Sequence, residues 1–208
     1  MVQSIPAQRV KLSNLRKGFD LQWTDDLAFF QEWSEPLSTL TDAEQERLDR
    51  VKANYRYLLE YPVAESVVKM VVLSPLLDIA GFFSPPFRVA GEVPVEVEAE
   101  DEGEVIKGNI DALVVQEQLW AIVIEAKNAQ FSISKAIPQT LAYMLSTPQP
   151  KSPVFGLITN GSEFLFLKLL QDPTATYATS NLFSIWNQGN DFYKVAKILK
   201  HLGGLVAQ

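Results

Sequence analysis

The sequence between residues 108 and 143 decides the fold and contains the candidate site. It contains Gly108-Asn-Ile-Asp111, then Leu119-Trp-Ala-Ile-Val-Ile-Glu-Ala-Lys127 and, further along the chain, Gln139-Thr-Leu-Ala-Tyr143. The first two segments belong to apolar runs of strand type, and the third carries polar residues at helical spacing. A charged residue inside an apolar run is unfavourable unless it has a specific role, and a functional site is one such role. This stretch predicts two strands and a helix that bring polar groups to one place.

The spacing of the two strands places two carboxylates side by side. In an antiparallel pair that turns around residues 116–118, positions whose numbers sum to about 236 lie opposite each other, so Asp111 faces Glu125 with about 5 Å between Cβ atoms. Lys127 follows two residues after Glu125 and shares its face, because side chains alternate along a strand. Two adjacent carboxylates repel each other unless a cation neutralises them.

The predicted cation is Mg²⁺ or Mn²⁺. The chain has no cysteine and one histidine, which excludes Cys-ligated zinc, thiol nucleophiles and mechanisms that need two histidines. Oxygen ligands suit magnesium and manganese, and Asp111, Glu125 and the backbone carbonyl of Ala126 would supply them. A bound ion activates water for attack on a phosphodiester, and Lys127 would orient or deprotonate that water and offset the developing charge.

Gln139 and Tyr143 complete the predicted site. They lie at i and i+4 on one helical face, where they could hold a water and a phosphate oxygen. An acidic-x-Lys triplet is expected about once by chance in a chain of this composition, so the Glu-Ala-Lys triplet has weight only within the whole pattern. The alternatives are a charged strand end in solvent for the cluster, and ordinary helix surface and core for Gln139 and Tyr143.

Two helices are predicted before the strands. Thr41-Asp-Ala-Glu44 has the spacing of a capping box and predicts a helix over residues 41–60. A second helix is predicted over Val63–Leu73, bent or ended by Pro75. Glu65 lies in its first turn, where the helix dipole favours a carboxylate. That position allows two interpretations, stabilisation of its own helix or a role in the site.

The remaining elements follow from period, turn residues and glycines. They are an alternating strand over 94–100 with a turn at 101–103, strands over 105–115 and 119–127, a helix over 132–146, strands over 154–159 and 163–170, a further strand over 176–184, and a helix over 190–202 ended by Gly203-Gly204.

The aromatic residues predict packing. Residues 1–35 hold Trp23, Phe29, Phe30 and Trp33 and are interpreted as an arm packed by these rings onto the main body. The division is an arm at 1–40 and a main domain at 41–208. All four tryptophans, which include Trp120 and Trp186, are expected in packing and not in a base-stacking platform, since they do not cluster with Lys or Arg.

Charge and hydropathy restrict the partners. The net charge is −7, whereas a DNA-binding domain is usually basic. The acidic residues are dense at 42–46 and 92–104, so the charge can be segregated, and a protein partner could supply DNA affinity. The sequence has no apolar run long enough to span a membrane and no secretory signal at its start, which predicts a cytoplasmic protein.

The full pattern resembles the PD-(D/E)xK nuclease superfamily, in particular the branch with Gly-x-x-Asp, Glu-x-Lys and Gln-x-x-x-Tyr found in RecB-type nucleases and in the N-terminal nuclease region of type I restriction enzyme R subunits. The resemblance covers roughly residues 63–170. It implies an α/β (α+β) fold with a restriction-endonuclease-like core, in which a helix carrying a Glu precedes a central mixed sheet flanked by helices. The site residues that it implies are Glu65, Asp111 and Glu125 as metal ligands, Lys127 as the catalytic lysine, and Gln139 and Tyr143 in the motif after the core.

Two functions remain open from the sequence. The first is a metal-dependent nuclease that hydrolyses DNA, in restriction–modification or DNA repair. The second is a catalytically silent member of the fold that acts as a regulatory or partner-binding module, which the negative charge favours. The chain after Leu170 is too short for the translocase domains that follow the nuclease in R subunits, so we expect a stand-alone relative.

Overall fold

The computed structural model describes residues 3–34, 37–98, 104–116 and 119–206. Within them a nine-stranded mixed sheet runs in the order β1-β4-β5-β6-β7-β8-β2, with β3 on β4 and β9 on β7. The strands are β1 (Gln3–Pro6), β2 (Gln22–Trp23), β3 (Phe87–Glu98), β4 (Glu104–Gln116), β5 (Leu119–Ala126), β6 (Val154–Thr159), β7 (Glu163–Leu170), β8 (Thr176–Thr179) and β9 (Phe183–Ser184). The predicted turn at 101–103 and the centre of the turn at 116–118 lie outside the described residues.

Helices cover both faces of the sheet. They are α1 (Leu12–Phe19), α2 (Asp42–Leu58), α3 (Glu65–Val68), α4 (Ser74–Ile79), α5 (Ile137–Leu145) and α6 (Asp191–Val206). One hydrophobic core joins α2, α3, α4 and α6 to one face, and a second joins α1 and α5 to the other. This is the predicted α/β architecture, a restriction-endonuclease-like mixed sheet flanked by helices.

The predicted alternation along β3 and the predicted register of β4 and β5 are confirmed. Val95 and Val97 are buried while the glutamates between and after them are exposed. Strands β3, β4 and β5 form an antiparallel meander, and β5 continues to β6 in parallel. Ala112 pairs with Ile124 and Leu113 with Val123, which is the predicted register.

A gap along β4 makes room for the site. Strand β3 occupies one edge of β4, so β1 and β5 share the other edge, β1 at residues 104–107 and β5 at residues 112–116. Residues 108–111 lie between these two partners. Asp111 thus lies in this gap in the strand pairing, next to the carboxyl ends of β5 and β6. Open α/β sheets commonly bind their ligands at the carboxyl ends of strands.

The strand pair β3–β4 is irregular at the same position. Ile106 and Ile110 belong to one core but Ala112 and Val114 to the other, although strict alternation would put all four on one face. Opposite Asp111, the non-glycine residue Glu92 has φ of 51°, in the left-handed region that costs energy for such a residue. The sheet therefore switches faces at the pair Glu92–Asp111.

Four predicted elements differ from the structure. The strand predicted over 94–100 begins earlier, at Phe87, and is described to Glu98 as β3. The second helix begins at Glu65, passes through a π-helical turn at Lys69–Leu73 and continues to Ile79, because the wide turn tolerates Pro75. The last helix does not end at Gly203-Gly204 but reaches Val206. The strand over 176–184 is two short strands, β8 and β9.

Other predictions are confirmed. The Glu44 N–H donates to Thr41 Oγ1 at 3.3 Å and the Thr41 N–H to Glu44 Oε2 at 2.7 Å, which is the capping box of α2. The helix predicted over 132–146 begins as a 3₁₀ turn at Ile133–Ala136 and continues as α5, with Pro138 in the first turn of the α-helix. A helix tolerates proline there because its missing N–H has no intrahelical partner.

The N-terminal segment packs by its aromatic rings and also adds strands to the sheet. Phe30 lies 6.1 Å from Phe155 between ring centroids, and Trp33 meets Phe183 edge to face at the same distance. Strands β1 and β2 pair in parallel with β4 and β8. Trp23 is one exception to the predicted packing, because 54% of it is exposed.

None of the helices in the described ranges has the length and hydropathy needed to cross a bilayer.

Candidate active site

Asp111 and Glu125 lie together, as the strand register predicts. Asp111 Oδ2 accepts the backbone N–H of Ala126 at 2.7 Å, which ties the carboxylate to the residue after Glu125. A strand residue directs its N–H and C=O to the same side, so the Ala126 carbonyl also faces the Asp111 side of β5. The structure thus brings the three predicted oxygen donors to one edge.

Glu125 is the most buried charged group of the site, with a side chain 2% exposed. Its Oε1 accepts from Lys127 Nζ and, at 2.7 Å, from Gln139 Nε2. Its Oε2 is buried and has no hydrogen-bond partner among the described residues. Burial, and then the negative charge of Asp111, raise the pKa of Glu125 to about 8. Burial likewise raises the pKa of Asp111, against the opposing effect of Lys69 and the Ala126 N–H.

Lys127 lies on the same face as Glu125, as predicted, and its side chain is 12% exposed. Its Nζ is 5.6 Å from the centroid of the Phe131 ring, within the range of a cation–π contact. The amine is therefore held between a carboxylate and an aromatic face.

Gln139 and Tyr143 join this cluster from α5. Gln139 Nε2 donates to Tyr143 Oη at 2.9 Å as well as to Glu125, and both side chains are buried. Burial raises the pKa of Tyr143 to about 12, so the phenol stays protonated. The sequence predicted that these residues hold a water and a phosphate oxygen. In the structure Gln139 contacts Glu125 and Tyr143 contacts Gln139, while the role in holding water and phosphate stays a prediction.

Gly108 explains the first residue of the Gly-x-x-Asp motif. A Cβ at this position would lie 2.6 Å from Tyr143 Oη and 2.8 Å from the Cβ of Ala7. Both neighbours are buried, so a methyl group here would displace packed atoms. Glycine is therefore required for the tyrosine of α5 to reach the gap in β4.

Glu65 reaches the cluster through a residue that the sequence analysis missed. Lys69 Nζ lies 2.7 Å from Asp111 Oδ1, 3.0 Å from Glu65 Oε1 and 3.2 Å from Glu92 Oε1. The i, i+4 spacing of Glu65 and Lys69 was a visible signal for their pair. The contact with Asp111 was not visible, because it depends on the π-helical turn and on the irregular strand pair.

The donor set fits a small divalent cation. No group of three or more Asp, Glu or His side chains is arranged to hold a metal ion among the residues described. Magnesium keeps several waters and commonly takes only one or two protein carboxylates, so Asp111 and Glu125 suffice. The buried, unpaired Oε2 of Glu125 is an acceptor that such an ion would satisfy.

A groove of about 570 Å³ is lined in part by Asn160, Trp186 and Phe131, the residue whose ring lies against Lys127. Trp186 is 58% exposed, and the guanidinium carbon of Arg56 lies 4.8 Å from its ring centroid. The prediction that Trp186 is a packing residue without Lys or Arg neighbours is therefore wrong. An exposed ring paired with arginine is the kind of surface on which an unpaired base stacks.

The fold and this cluster define a restriction-enzyme-related nuclease domain. Residues 6–175 match the family model described as the type I restriction enzyme R protein N terminus, so the chain belongs to that family. The match begins well before residue 63, where the resemblance in the sequence motifs begins, and it includes most of the N-terminal segment. A search of curated proteins returned no match.

Proposed function

We propose that this protein is a magnesium- or manganese-dependent nuclease that hydrolyses DNA phosphodiester bonds. The observation that carries the proposal is the buried pair Asp111 and Glu125 with an unsatisfied oxygen on Glu125. Asp111 is paired with Lys69 and Glu125 with Lys127, but Oε2 of Glu125 has no hydrogen-bond partner among the described residues. A buried polar atom is normally satisfied, and a divalent cation held by the two carboxylates, with the Ala126 carbonyl as a further donor, would satisfy this one.

The residues of the chain have separate roles in this proposal. A bound ion would lower the pKa of a water and stabilise charge on the phosphate. Lys127 orients that water and offsets charge in the transition state. Gln139 and Tyr143 hold Glu125 in one rotamer, because a ligand carboxylate must keep its geometry to be effective. Glu65 contacts Lys69, which in the structure also contacts Asp111.

The groove beside Lys127 gives the DNA strand a path. Phe131 and Trp186 line the groove, and each ring has a cationic group against it, Lys127 at Phe131 and Arg56 at Trp186. This local arrangement lets a chain of net charge −7 bind nucleic acid without a basic surface overall. The proposal also includes a protein partner that supplies further DNA affinity. It places the protein in the cytoplasm and in a restriction or repair pathway.

The test is cleavage of supercoiled plasmid and of single-stranded circular DNA with Mg²⁺, with Mn²⁺ and with EDTA. We expect metal-dependent cleavage by the wild type and a loss of at least about 100-fold in Lys127→Ala, given the usual size of such catalytic contributions. Lys151→Ala is the matched control. It changes the net charge equally but lies in the loop before β6, at the opposite end of that strand from the site.

Two results would contradict the proposed nuclease activity. One is no cleavage of either DNA with either metal, and the other is equal cleavage by Lys127→Ala and the wild type. Either result favours the second candidate, a silent nuclease-fold module that binds a partner, to which the acidic net charge points.

A further inference from the structure

Lys69 is the residue whose surroundings the nuclease mechanism leaves unexplained. Its ammonium group contacts one carboxylate from each of three elements: Glu65 of α3, Glu92 of β3 and Asp111 of β4. The contact with Asp111 is the shortest, at 2.7 Å, and it reaches a carboxylate whose side chain is only 10% exposed. This differs from a surface ion pair, which is solvated on all sides and contributes little.

Two local irregularities of the backbone meet at this lysine. The π-helical turn begins at Lys69, and such turns are less stable than α-helix and concentrate at functional sites. Across the contact, Glu92 has a positive φ, which costs energy for a residue with a Cβ. An ordinary helix would allow the i, i+4 pair of Glu65 and Lys69 without either feature. The additional contacts with Glu92 and Asp111 are therefore built into the fold.

The contact uses an oxygen that a metal ion needs. Asp111 Oδ2 accepts the Ala126 N–H and Oδ1 accepts from Lys69, so both oxygens of this carboxylate are bonded. On Glu125, Oε2 remains unpaired among the described residues. A cation held jointly by Asp111 and Glu125 therefore competes with Lys69 for Asp111.

We propose that Lys69 is a resident counter-ion of the metal site, which neutralises Asp111 when no metal is bound and releases it when a divalent cation binds. The inference rests on the proposed function, since it assumes a cation at Asp111 and Glu125. After release, the ammonium group stays beside Glu65 and Glu92, both more exposed than Asp111. Breaking this ion pair is part of metal binding, so Lys69 lowers the metal affinity of the protein without nucleic acid.

The experiment measures Mn²⁺ binding by calorimetry without DNA and thermal unfolding with and without Mn²⁺. In Lys69→Met we expect a Kd for Mn²⁺ at least about tenfold below that of the wild type, because the competing cation is gone. We also expect a lower metal-free Tm and a larger increase of Tm on adding Mn²⁺. Equal or weaker Mn²⁺ binding by Lys69→Met overturns the inference.

Two variants control for charge and folding. Lys107→Met removes a lysine of β4 that pairs with Glu96 at 2.8 Å, and its Kd should stay within about twofold of the wild type. Lys69→Arg keeps the positive charge, so its Kd should equal or exceed that of the wild type. The inference is also overturned if the Kd for Mn²⁺ decreases in Lys69→Arg or in Lys107→Met as much as in Lys69→Met. The change in Kd would then not be specific to the loss of the counter-ion.

Asp111→Ala separates this inference from the proposed function. If the wild type binds Mn²⁺, Asp111→Ala does not and Lys69→Met matches the wild type, the metal site stands and only the counter-ion role fails. If neither the wild type nor Lys69→Met binds Mn²⁺, the metal site itself is refuted, and the role of Lys69 with it.

Discussion

At the scale of single residues, Gly108 makes the sharpest prediction. Gly108→Ala would place a methyl group against Tyr143 Oη and the Cβ of Ala7, at distances that real Cβ atoms do not show. Overpacking of this kind costs about 1–3 kcal/mol. Moving Tyr143 also disturbs Gln139 and, through it, Glu125. We expect reduced stability together with at least a tenfold loss of DNA cleavage.

Urea unfolding and plasmid cleavage measure the two effects of Gly108→Ala. Gly204→Ala is the matched control, because nothing lies within 4 Å of the Cβ that it would add and the residue is within α6. Alanine also favours a helix over glycine by about 1 kcal/mol, so the control should be as stable as the wild type or more so. Wild-type stability and cleavage in Gly108→Ala would show that Tyr143 does not need the close approach.

The residues of the site differ in how far the sequence could reveal them. Asp111, Glu125 and Lys127 were predicted together because strand period and hairpin register are local rules. Lys69 was missed because its contact with Asp111 joins a helix to a strand 42 residues away. The contact of Gln139 with Glu125 was not predicted either. Its helical face was predictable, but which carboxylate that face meets depends on how α5 packs on the sheet.

At the scale of elements, predictions succeeded where the signal was local. The capping box of α2 fixes its start by contacts three residues apart. Strands β6 and β7 begin and end as predicted, since an Asn-Gly turn separates two apolar runs. The end of α6 was wrong for a physical reason. A Cβ on Gly203 would lie 2.9 Å from Phe82, so the glycine serves close packing inside the helix and does not end it.

The hydrogen bonds of Asp191, at the start of α6, predict how the stability of the protein depends on pH. Asp191 accepts hydrogen bonds from the Ser184 N–H at 3.3 Å, from Asn187 Nδ2 at 2.8 Å and from Lys194 Nζ at 3.2 Å. Burial alone would raise its pKa, but the bonds from Asn187 and Lys194 outweigh this and lower the pKa. A carboxylate with a lowered folded-state pKa stabilises the protein above its unfolded-state pKa and loses that contribution as pH falls through the folded-state pKa.

Asp191→Asn should therefore be less stable than the wild type by about 1 kcal/mol at pH 7. The difference should narrow as the pH falls below about 4, where the unfolded-state carboxyl of the wild type becomes protonated. Urea unfolding of both proteins across this pH range measures the difference. Asp25→Asn, a change of the same charge at an exposed position, serves as the control and should show no such trend. A deficit that stays constant with pH would argue against ionisation of Asp191 as its cause.

At the scale of the whole molecule, the sheet order was beyond the sequence. Strands β1 and β2 come from the N-terminal segment and pair with β4 and β8, about 100 and 150 residues later in the chain. No local pattern encodes such pairings. Yet the pairing of β1 with β4 borders the gap in β4 where Asp111 lies, so the position of the site depends on a contact between distant parts of the chain.

The groove beside Lys127 tests how an acidic protein holds DNA. Net charge −7 predicts weak binding if attraction were spread over the whole surface. The exposed ring of Trp186, with Arg56 against it, suggests instead that affinity is local and depends on base stacking. Stacking of one base on an aromatic side chain contributes about 1–3 kcal/mol. Trp186→Ala should therefore raise the Kd for single-stranded DNA by about tenfold.

Fluorescence anisotropy of a labelled oligonucleotide in EDTA measures this affinity without cleavage. Arg56→Ala should weaken binding too, and should reduce the slope of log K against log salt by about one, because it removes one phosphate contact or base-facing cation. Trp23→Ala is the matched control, since Trp23 is 54% exposed but lies on β2 at the edge of the sheet. If Trp186→Ala binds like the wild type, or Trp23→Ala loses as much affinity, the groove is not the path of the strand.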